Sequence, residues 1–168
     1  TITLPGTRLS GKLAFSYDGM FLVVGDNYEG GTNKKASVQK RVNDANDATT
    51  WATTGSNFVE LNTLPNQTIS NNTYGYRVDI TYDAKYIVVS DQVNTVFIYE
   101  RTDDNNTWVY KNEVSGVGSG SSVAFSSTGK YLVIGNKFVL TNTGAVSILT
   151  LNETTEVWEN KLALAPTT

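Results

Sequence analysis

Three segments of the chain align with one another without a gap, and this internal repeat constrains the fold more than any other feature. They begin at Leu13, Val78 and Val123. Each contains a run in which apolar residues alternate, a tight turn such as Asp18-Gly19, and a continuously apolar run such as Phe21-Leu22-Val23-Val24. Two apolar runs around a short Asp-Gly turn are typical of a β-hairpin. The repeated hairpin predicts a repeat architecture, because a fixed period decides the whole fold.

Each copy continues beyond its hairpin with two more β-rich runs. The third run is clearest as Thr95-Val96-Phe97-Ile98-Tyr99, and a polar turn separates it from a fourth run that opens on a tryptophan. The three tryptophans are Trp51, Trp108 and Trp158. The copies start 65 residues (13 to 78) and 45 residues (78 to 123) apart. Four antiparallel strands in about 45 residues is the size of a β-propeller blade.

The sequence therefore predicts an all-β fold of three tandem four-stranded antiparallel blades of the β-propeller type, forming a partial or assembling propeller. We expect one domain over residues 1–168, with blade 1 at about 8–62, blade 2 at about 74–115 and blade 3 at about 119–164. The continuously apolar second runs favour strands that neighbouring blades cover on both sides. The alternative is an antiparallel meander without propeller geometry.

Two stretches resemble the FG-GAP repeats of integrin-like β-propellers. One is Tyr74-Gly75-Tyr76-Arg77-Val78, which stands where that family has its Phe-Gly. The other runs from Gly120 to Asn136 and continues to Gly144-Ala145-Val146 and Trp158. The family's Gly-Ala-Pro is degraded here to sequences such as Gly25-Asp26-Asn27. The resemblance implies a propeller of a largely secreted family, whereas tryptophan-aspartate and kelch propellers fit the pattern less well.

The composition argues against most catalytic machinery. The chain has 0 His and 0 Cys, which removes Ser-His-Asp and Cys-His nucleophile systems and the usual zinc ligands. Two facing carboxylates could still hydrolyse a glycoside, so a carboxylate hydrolase is the alternative. Asp18, Asp83 and Asp91 recur by blade position, and turn chemistry explains this, because Asp accepts hydrogen bonds from nearby backbone N–H groups. We therefore expect that the chain is not an enzyme.

Charge and hydropathy narrow the range of partners. Lys and Arg number 13 against 16 Asp and Glu, and no basic block is present to neutralise phosphates. No run approaches the roughly 18 apolar residues of a membrane helix. Thr, Asn, Ser and Gly are abundant, as is common in secreted β proteins. These features predict an extracellular or cell-surface protein that binds no nucleic acid and does not insert into membranes.

Weak calcium ligands and four glycosylation sequons stand in the predicted loops. Each loop offers at most two carboxylates, whereas Ca²⁺ takes roughly 6–8 oxygen ligands. We therefore expect no cofactor, with bound calcium as the alternative. These carboxylates belong to Asp26, Glu29, Asp44, Asp47, Asp103 and Asp104. The sequons begin at Asn66, Asn71, Asn105 and Asn152. All four lie in predicted turns or linkers, where a glycan is tolerated, and in a secreted eukaryotic protein we expect at least one to be occupied.

The number of blades points to a function in assembly. Propellers close with about four to eight blades, so three leave two blade faces unpaired. Further copies joined tail to head would continue the repeat as a ring or a filament. We expect a structural or adhesive protein that forms a homo-oligomer or filament, with the three tryptophans packed between blades. The alternatives are a protein- or carbohydrate-binding segment of a larger secreted protein, and a compact monomer.

Overall fold

The described part of the chain folds into three four-stranded β-sheets. The computed structural model describes residues 12–26, 35–41, 58–64, 74–102, 106–117, 122–137 and 144–164. Blade 1 consists of β1 (Leu13–Phe15), β2 (Phe21–Asp26), β3 (Lys35–Arg41) and β4 (Phe58–Leu64). Blade 2 consists of β5 (Arg77–Ile80), β6 (Tyr86–Ser90), β7 (Thr95–Thr102) and β8 (Thr107–Ser115). Blade 3 consists of β9 (Ser122–Phe125), β10 (Tyr131–Asn136), β11 (Ala145–Asn152) and β12 (Val157–Leu164).

Each sheet is an antiparallel meander, with its strands side by side in chain order. A β-bulge interrupts the pairing of the third and fourth strands at the same place in every blade. It falls between Val38 and Gln39, between Ile98 and Tyr99, and between Ile148 and Leu149. The shared bulge shows that the three sheets are copies of one structure down to their irregularities. The predicted all-β fold of three tandem four-stranded blades is confirmed.

One side-chain hydroxyl closes the first hairpin of every blade. Its oxygen accepts a hydrogen bond from the backbone N–H of the residue that begins the second strand. The three pairs are Ser16 with Phe21 at 3.0 Å, Thr81 with Tyr86 at 2.9 Å and Ser126 with Tyr131 at 3.2 Å. In blades 1 and 2 the hydroxyl also donates to Asp18 at 2.6 Å and to Asp83 at 2.7 Å. These two carboxylates therefore serve the turns, as turn chemistry predicts.

The same turns require a left-handed residue. Gly19 and Gly129 have φ of +67°, and Ala84 takes the equivalent place in blade 2 with φ of +57°. A residue with a Cβ adopts this conformation at a cost of about 1–2 kcal/mol. Ala84 is almost fully buried in the core, so its packing offsets part of that strain.

The hydrophobic core lies between the blades, in two layers. The first layer joins residues of blades 1 and 2 with Tyr74, and the second joins residues of blades 2 and 3 with Val117. Every residue of β6 is buried, because this strand of the middle blade is covered from both sides. The described ranges contain no helix that is long and apolar enough to cross a membrane.

In blade 1, the strand register places Phe58 at the position in the fourth strand where the sequence predicts a tryptophan. Trp108 and Trp158 hold equivalent positions in the registers of blades 2 and 3. In blade 1 this position is held by Phe58, and Trp51 lies outside the described residues. A shared pattern identifies the equivalence: Phe58-Val59-Glu60-Leu61-Asn62 matches Trp108-Val109-Tyr110-Lys111-Asn112 in its aromatic residue, Val and Asn.

Candidate interaction surface

The repeat register divides each blade into two faces. We call the face turned toward the next blade along the chain the forward face, and the face turned toward the preceding blade the reverse face. Four equivalent positions on the second and third strands mark the forward face. They are Phe21, Val23, Ala36 and Val38 in blade 1, Tyr86, Val88, Val96 and Ile98 in blade 2, and Tyr131, Val133, Val146 and Ile148 in blade 3.

An aromatic contact joins blades 1 and 2. The ring of Trp108, on the reverse face of blade 2, lies edge-on to the ring of Phe21, with centroids 5.2 Å apart and planes at 76°. The guanidinium of Arg101 lies over both rings, 5.5 Å from the centroid of Phe21 and 5.8 Å from that of Trp108. Edge-on aromatic pairs and cation–π contacts each add to the stabilisation that burial provides.

Trp158 makes the corresponding contact between blades 2 and 3. Its ring lies edge-on to Tyr86 of blade 2 and to Phe125 of its own blade, with centroids 5.5 Å apart in each case. The Asn112 side chain, on the forward face of blade 2, binds the backbone of Trp158. Its Nδ2 donates to the Trp158 carbonyl at 3.1 Å and its Oδ1 accepts from the Trp158 N–H at 3.3 Å. Blade 2 therefore contacts both the Trp158 ring and the β12 backbone of blade 3.

A carboxylate on β5, the first strand of blade 2, forms a second polar link between blades 2 and 3. Oδ2 of Asp79 on β5 accepts a hydrogen bond from the backbone N–H of Phe125 on β9 at 2.6 Å. Burial raises the pKa of Asp79, and the hydrogen bond from Phe125 offsets only part of that shift. Ionised Asp79 is therefore partly desolvated, and its charge is balanced chiefly by backbone N–H groups.

Charged groups surround the Tyr86 ring at the rim of this interface. Glu100 accepts a hydrogen bond from the Tyr86 hydroxyl at 3.1 Å and forms ion pairs with Lys85 and Lys111. Burial raises the pKa of Glu100, but the contacts with Lys111, Tyr86 and Lys85 together outweigh it, so the net shift is downward. In blade 3 the position of Glu100 is taken by Thr150, and the rim there has no carboxylate at that position.

The forward face of blade 3 has the same pattern, but none of the described strands of another blade lies on it. Three of its four marker residues, Tyr131, Val133 and Val146, are 36% to 50% exposed, whereas the marker positions of blades 1 and 2 are at most 5% exposed. The exposed side chains are Tyr131, Val133, Val146, Val157, Leu162 and Leu164. Contiguous exposed apolar surface of this kind is typical of an interaction site.

A surface cavity of about 390 Å³ adjoins this face beside Tyr131. It is lined by Gly129, Lys130, Tyr131, Thr150, Leu151 and Glu153. Tyr131 and Thr150 are the counterparts of Tyr86 and Glu100, and the Trp158 ring packs against Tyr86 in the interface between blades 2 and 3. The cavity therefore adjoins Tyr131, the counterpart of the tyrosine that contacts Trp158.

Among the side chains that the structure describes, the reverse face of blade 1 is exposed on its first strand, β1. On β1, Leu13 is 56% exposed and Phe15 is 48% exposed. Their counterparts in blade 2, Val78 and Ile80, are buried against blade 1. On β2 and β3 the reverse-facing residues are at most 3% exposed; these are Leu22, Val24, Ser37 and Gln39. The accessible part of this face is therefore narrower than the forward face of blade 3.

Of the candidate calcium and glycosylation residues, the structure describes Asp26 and Asn152. Asp26 is the last residue of β2. The positions outside the described residues are Glu29, Asp44, Asp47, Asp103, Asp104, Asn66, Asn71 and Asn105. The described residues contain no group of three or more His, Cys, Asp or Glu side chains that could hold a metal ion. Asn152 ends β11, and its Nδ2 donates to Glu159 at 3.1 Å.

Asp91 occupies a turn rather than a cleft. Its Oδ1 accepts hydrogen bonds from the backbone N–H groups of Val93, Asn94 and Thr95 at 2.9, 2.8 and 2.9 Å. Asp91 is buried; Val93 and Asn94 belong to the connection between β6 and β7, and Thr95 begins β7. The carboxylate therefore organises this turn.

Comparison with known proteins identifies the fold but no family. No sequence family and no curated protein matches the chain. A candidate 6-phosphogluconolactonase from Bacteroides fragilis has a TM-score of 0.67 at 16% identity, covering 92% of this chain and 38% of that one. The periplasmic gluconolactonase of Pseudomonas aeruginosa has a TM-score of 0.65 at 13% identity, covering 97% and 41%. Sqt1 of Saccharomyces cerevisiae has a TM-score of 0.66 at 12% identity, covering 92% and 35%.

These similarities establish a propeller segment. The three sheets are blades of the β-propeller type, and the chain spans 35% to 41% of the length of these three neighbours. At such identities the likeness concerns the fold alone, and the neighbours do not single out FG-GAP repeats.

The same neighbours overturn the prediction that the chain is not an enzyme. Two of the three are named as gluconolactonases and share its fold. The prediction rested on the lack of His and Cys and on the lack of a catalytic motif. Those absences remove particular nucleophile systems, whereas a fold shared with lactonases is compatible with other chemistry.

Proposed function

We propose that this propeller segment is an interaction module that binds a further β-blade on the forward face of blade 3. The observation that carries the proposal is the contrast between equivalent positions: the marker positions of blades 1 and 2 are at most 5% exposed, whereas Tyr131, Val133 and Val146 of blade 3 are 50%, 39% and 36% exposed. Burial of apolar surface contributes about 25 cal/mol per Å², so a face of this composition favours a partner.

The occupant in this proposal is a second copy of the chain. Inside the chain, each forward face binds the reverse face of the next blade. In a second copy, Leu13 and Phe15 are the exposed reverse-facing residues of blade 1. A forward face that binds the reverse face of another copy makes a heterologous contact, which generates a ring if it closes and a filament if it does not.

A second candidate is a segment of one longer propeller, in which the following blade belongs to the same polypeptide. It is favoured by the lengths of the similar structures, of which this chain covers 35% to 41%. Closed propellers have about four to eight blades, so one to five further blades would complete the ring.

Sedimentation velocity over a range of concentrations tests the proposal. Val133→Glu places a charge on the forward face of blade 3, and we expect it to weaken self-association more than tenfold, because burying an unpaired carboxylate costs at least about 2 kcal/mol. The matched control is Val109→Glu, which adds the same charge at a 44% exposed valine of blade 2. A wild-type chain that remains a monomer at every concentration would overturn self-association and favour the second candidate. Equal association of Val133→Glu and wild type would show that this face is not the contact.

We also propose an extracellular or cell-surface location with glycosylation at one or more sequons. The support is the composition and the resemblance to FG-GAP repeats of secreted propellers. At Asn152 the acceptor nitrogen donates to Glu159 and Oδ1 accepts from the Thr154 N–H. Mass spectrometry of native peptides tests this; four unmodified sequons would contradict the glycosylation.

A further inference from the structure

We propose that Tyr17 of blade 1 and Tyr82 of blade 2 form a site of oxidative cross-linking. Their two phenol rings are stacked, with centroids 4.0 Å apart and planes at 20°. Both side chains face solvent, with Tyr17 72% exposed and Tyr82 52% exposed. At this site a haem peroxidase, with hydrogen peroxide as its oxidant, joins the two rings by a carbon–carbon bond. The bond fastens blade 1 to blade 2 and does not involve the forward face of blade 3.

The first hairpin turns of the two blades place the rings side by side. Tyr17 follows Ser16 and Tyr82 follows Thr81, the hydroxyl residues that close these hairpins. The carbonyl of each hydroxyl residue also accepts a backbone hydrogen bond of 2.9 Å across its turn. Because both turns have the same hydrogen bonds and belong to neighbouring blades, the side chains that follow the hydroxyl residues project from equivalent places. The stack is therefore a consequence of the repeat.

The two hydroxyl groups set how the rings face each other. A hydrogen bond to Tyr17 raises the pKa of Tyr82, so both hydroxyls lie at the same end of the stack. Rings stacked in this way also bring together the Cε carbons beside each hydroxyl, and these carbons share the unpaired electron when a phenol is oxidised. The ring spacing of 4.0 Å is close to the roughly 3–3.5 Å that separates reacting atoms in a near-attack arrangement. The stack therefore places two coupling positions opposite each other.

The coupling reaction consumes one molecule of hydrogen peroxide. The peroxidase removes one electron and one proton from each phenol, which gives two phenoxyl radicals. A bond forms between one Cε of Tyr17 and one Cε of Tyr82, and each of these carbons then passes its hydrogen to the phenoxyl oxygen as the ring regains its aromaticity. The pair loses two hydrogen atoms in total. Hydrogen peroxide accepts the two electrons and two protons and becomes two molecules of water.

Two other tyrosine pairs in the described part of the chain have a different geometry. Tyr74 and Tyr99 meet through their hydroxyls at 2.6 Å, but both side chains are buried. Tyr99 and Tyr110 lie edge-on, with planes at 73° and centroids 6.1 Å apart. In blade 3 the position that follows the hairpin hydroxyl is held by Ser127. Of these three pairs, the stack between blades 1 and 2 alone combines parallel contact with access to a peroxidase.

Peroxidase treatment of the purified chain tests the site. We expect a product within one chain, lighter by two hydrogen atoms, in which tandem mass spectrometry links the peptide of Tyr17 to the peptide of Tyr82. Because the two rings are already in contact, this link should exceed dityrosine between chains at least about tenfold at micromolar concentration. A linked fraction that rises in proportion to the chain concentration would show coupling between molecules and would overturn the proposal.

Three conservative variants assign the link to the two rings. Tyr17→Phe and Tyr82→Phe each keep a ring in the stack but remove the phenol that is oxidised, so both should fold and lose the link. Tyr131→Phe is the matched control, because Tyr131 is 50% exposed and lies on blade 3. It should leave the link unchanged. If the link survives in Tyr17→Phe, or if Tyr131 in the wild-type chain is coupled as often as Tyr17, stacking does not direct the reaction and the proposal is wrong.

The bond should also stabilise the fold. It closes a loop of 65 residues (17 to 82), which removes conformational freedom from the unfolded chain. We expect the melting temperature of the cross-linked chain to lie about 10 °C above that of peroxidase-treated Tyr82→Phe. Equal melting temperatures would contradict the fastening of blade 1 to blade 2, and would leave the proposed self-association through blade 3 unaffected.

Discussion

Replacing Trp158 by Ala should remove a large share of the coupling between blades 2 and 3. The side chain is 1% exposed, so almost its whole surface leaves water on folding. Truncation of a buried Trp to Ala costs about 3–5 kcal/mol through lost burial and the cavity left behind. Two edge-on ring contacts, to Tyr86 and Phe125, place Trp158 toward the upper part of that range. We therefore expect a loss of about 4 kcal/mol in the free energy of unfolding.

Urea denaturation followed by far-ultraviolet circular dichroism measures this loss. A domain of this size has a total stability of about 5–15 kcal/mol, so a change of this size shifts the midpoint by a large fraction or separates blade 3 into its own transition. Val157→Ala is the matched control, because Val157 precedes Trp158 on β12 and is 37% exposed. We expect it to change the stability by less than about 1 kcal/mol. If Trp158→Ala loses no more than Val157→Ala, packing of the indole does not hold the blades together.

Three further predictions concern single residues of the described fold. Asp91→Ala should lower the free energy of unfolding, measured by urea denaturation, by about 3 kcal/mol, because three backbone N–H groups lose their common acceptor. Asp91→Asn should lower it less. Gly25→Ala should destabilise by more than about 2 kcal/mol, since a Cβ there would lie 2.5 Å from the backbone oxygen of Gly75; an unchanged melting temperature would contradict this. Burial raises the pKa of Asp79 in the folded state, so its contribution is fully present below the unfolded pKa and is lost as the pH rises through the folded pKa. Asp79→Asn should therefore flatten the fall in stability as the pH rises above the unfolded pKa of about 4, and an unchanged slope in parallel denaturation series would refute it.

The sequence alone predicts the parts of this fold that depend on neighbouring residues. The Asp18-Gly19 turn, the continuously apolar β2 and the hydroxyl at Ser16 act within a few residues of one another, and each recurs in the later copies in its own or a related form. Local chemistry of this kind leaves a direct pattern in the chain.

The contacts between blades leave a weaker pattern. Asn112 with Trp158, and Asp79 with Phe125, each join residues that are 46 positions apart, and no local rule pairs them. The place of Phe58 likewise follows from the register of β3 and β4, because Trp51 is the more conspicuous aromatic in the sequence. The exposed forward face of blade 3 was predicted as an unpaired surface from the blade count, but its residues became known only through the strand pairing.

The position of blade 2 between two neighbours predicts a gradient of motion along the chain. All five residues of β6 are buried. In β10 three of the six residues are buried, and they alternate with exposed or half-buried ones. Strands of a repeat array open most readily where they have one neighbour, because local opening there breaks a single interface. Amide hydrogens of β6 and β7 should therefore exchange with solvent last, and those of β12 among the first. A partner that covers blade 3 would slow amide exchange in β12, because blade 3 would then be packed on both faces as blade 2 is.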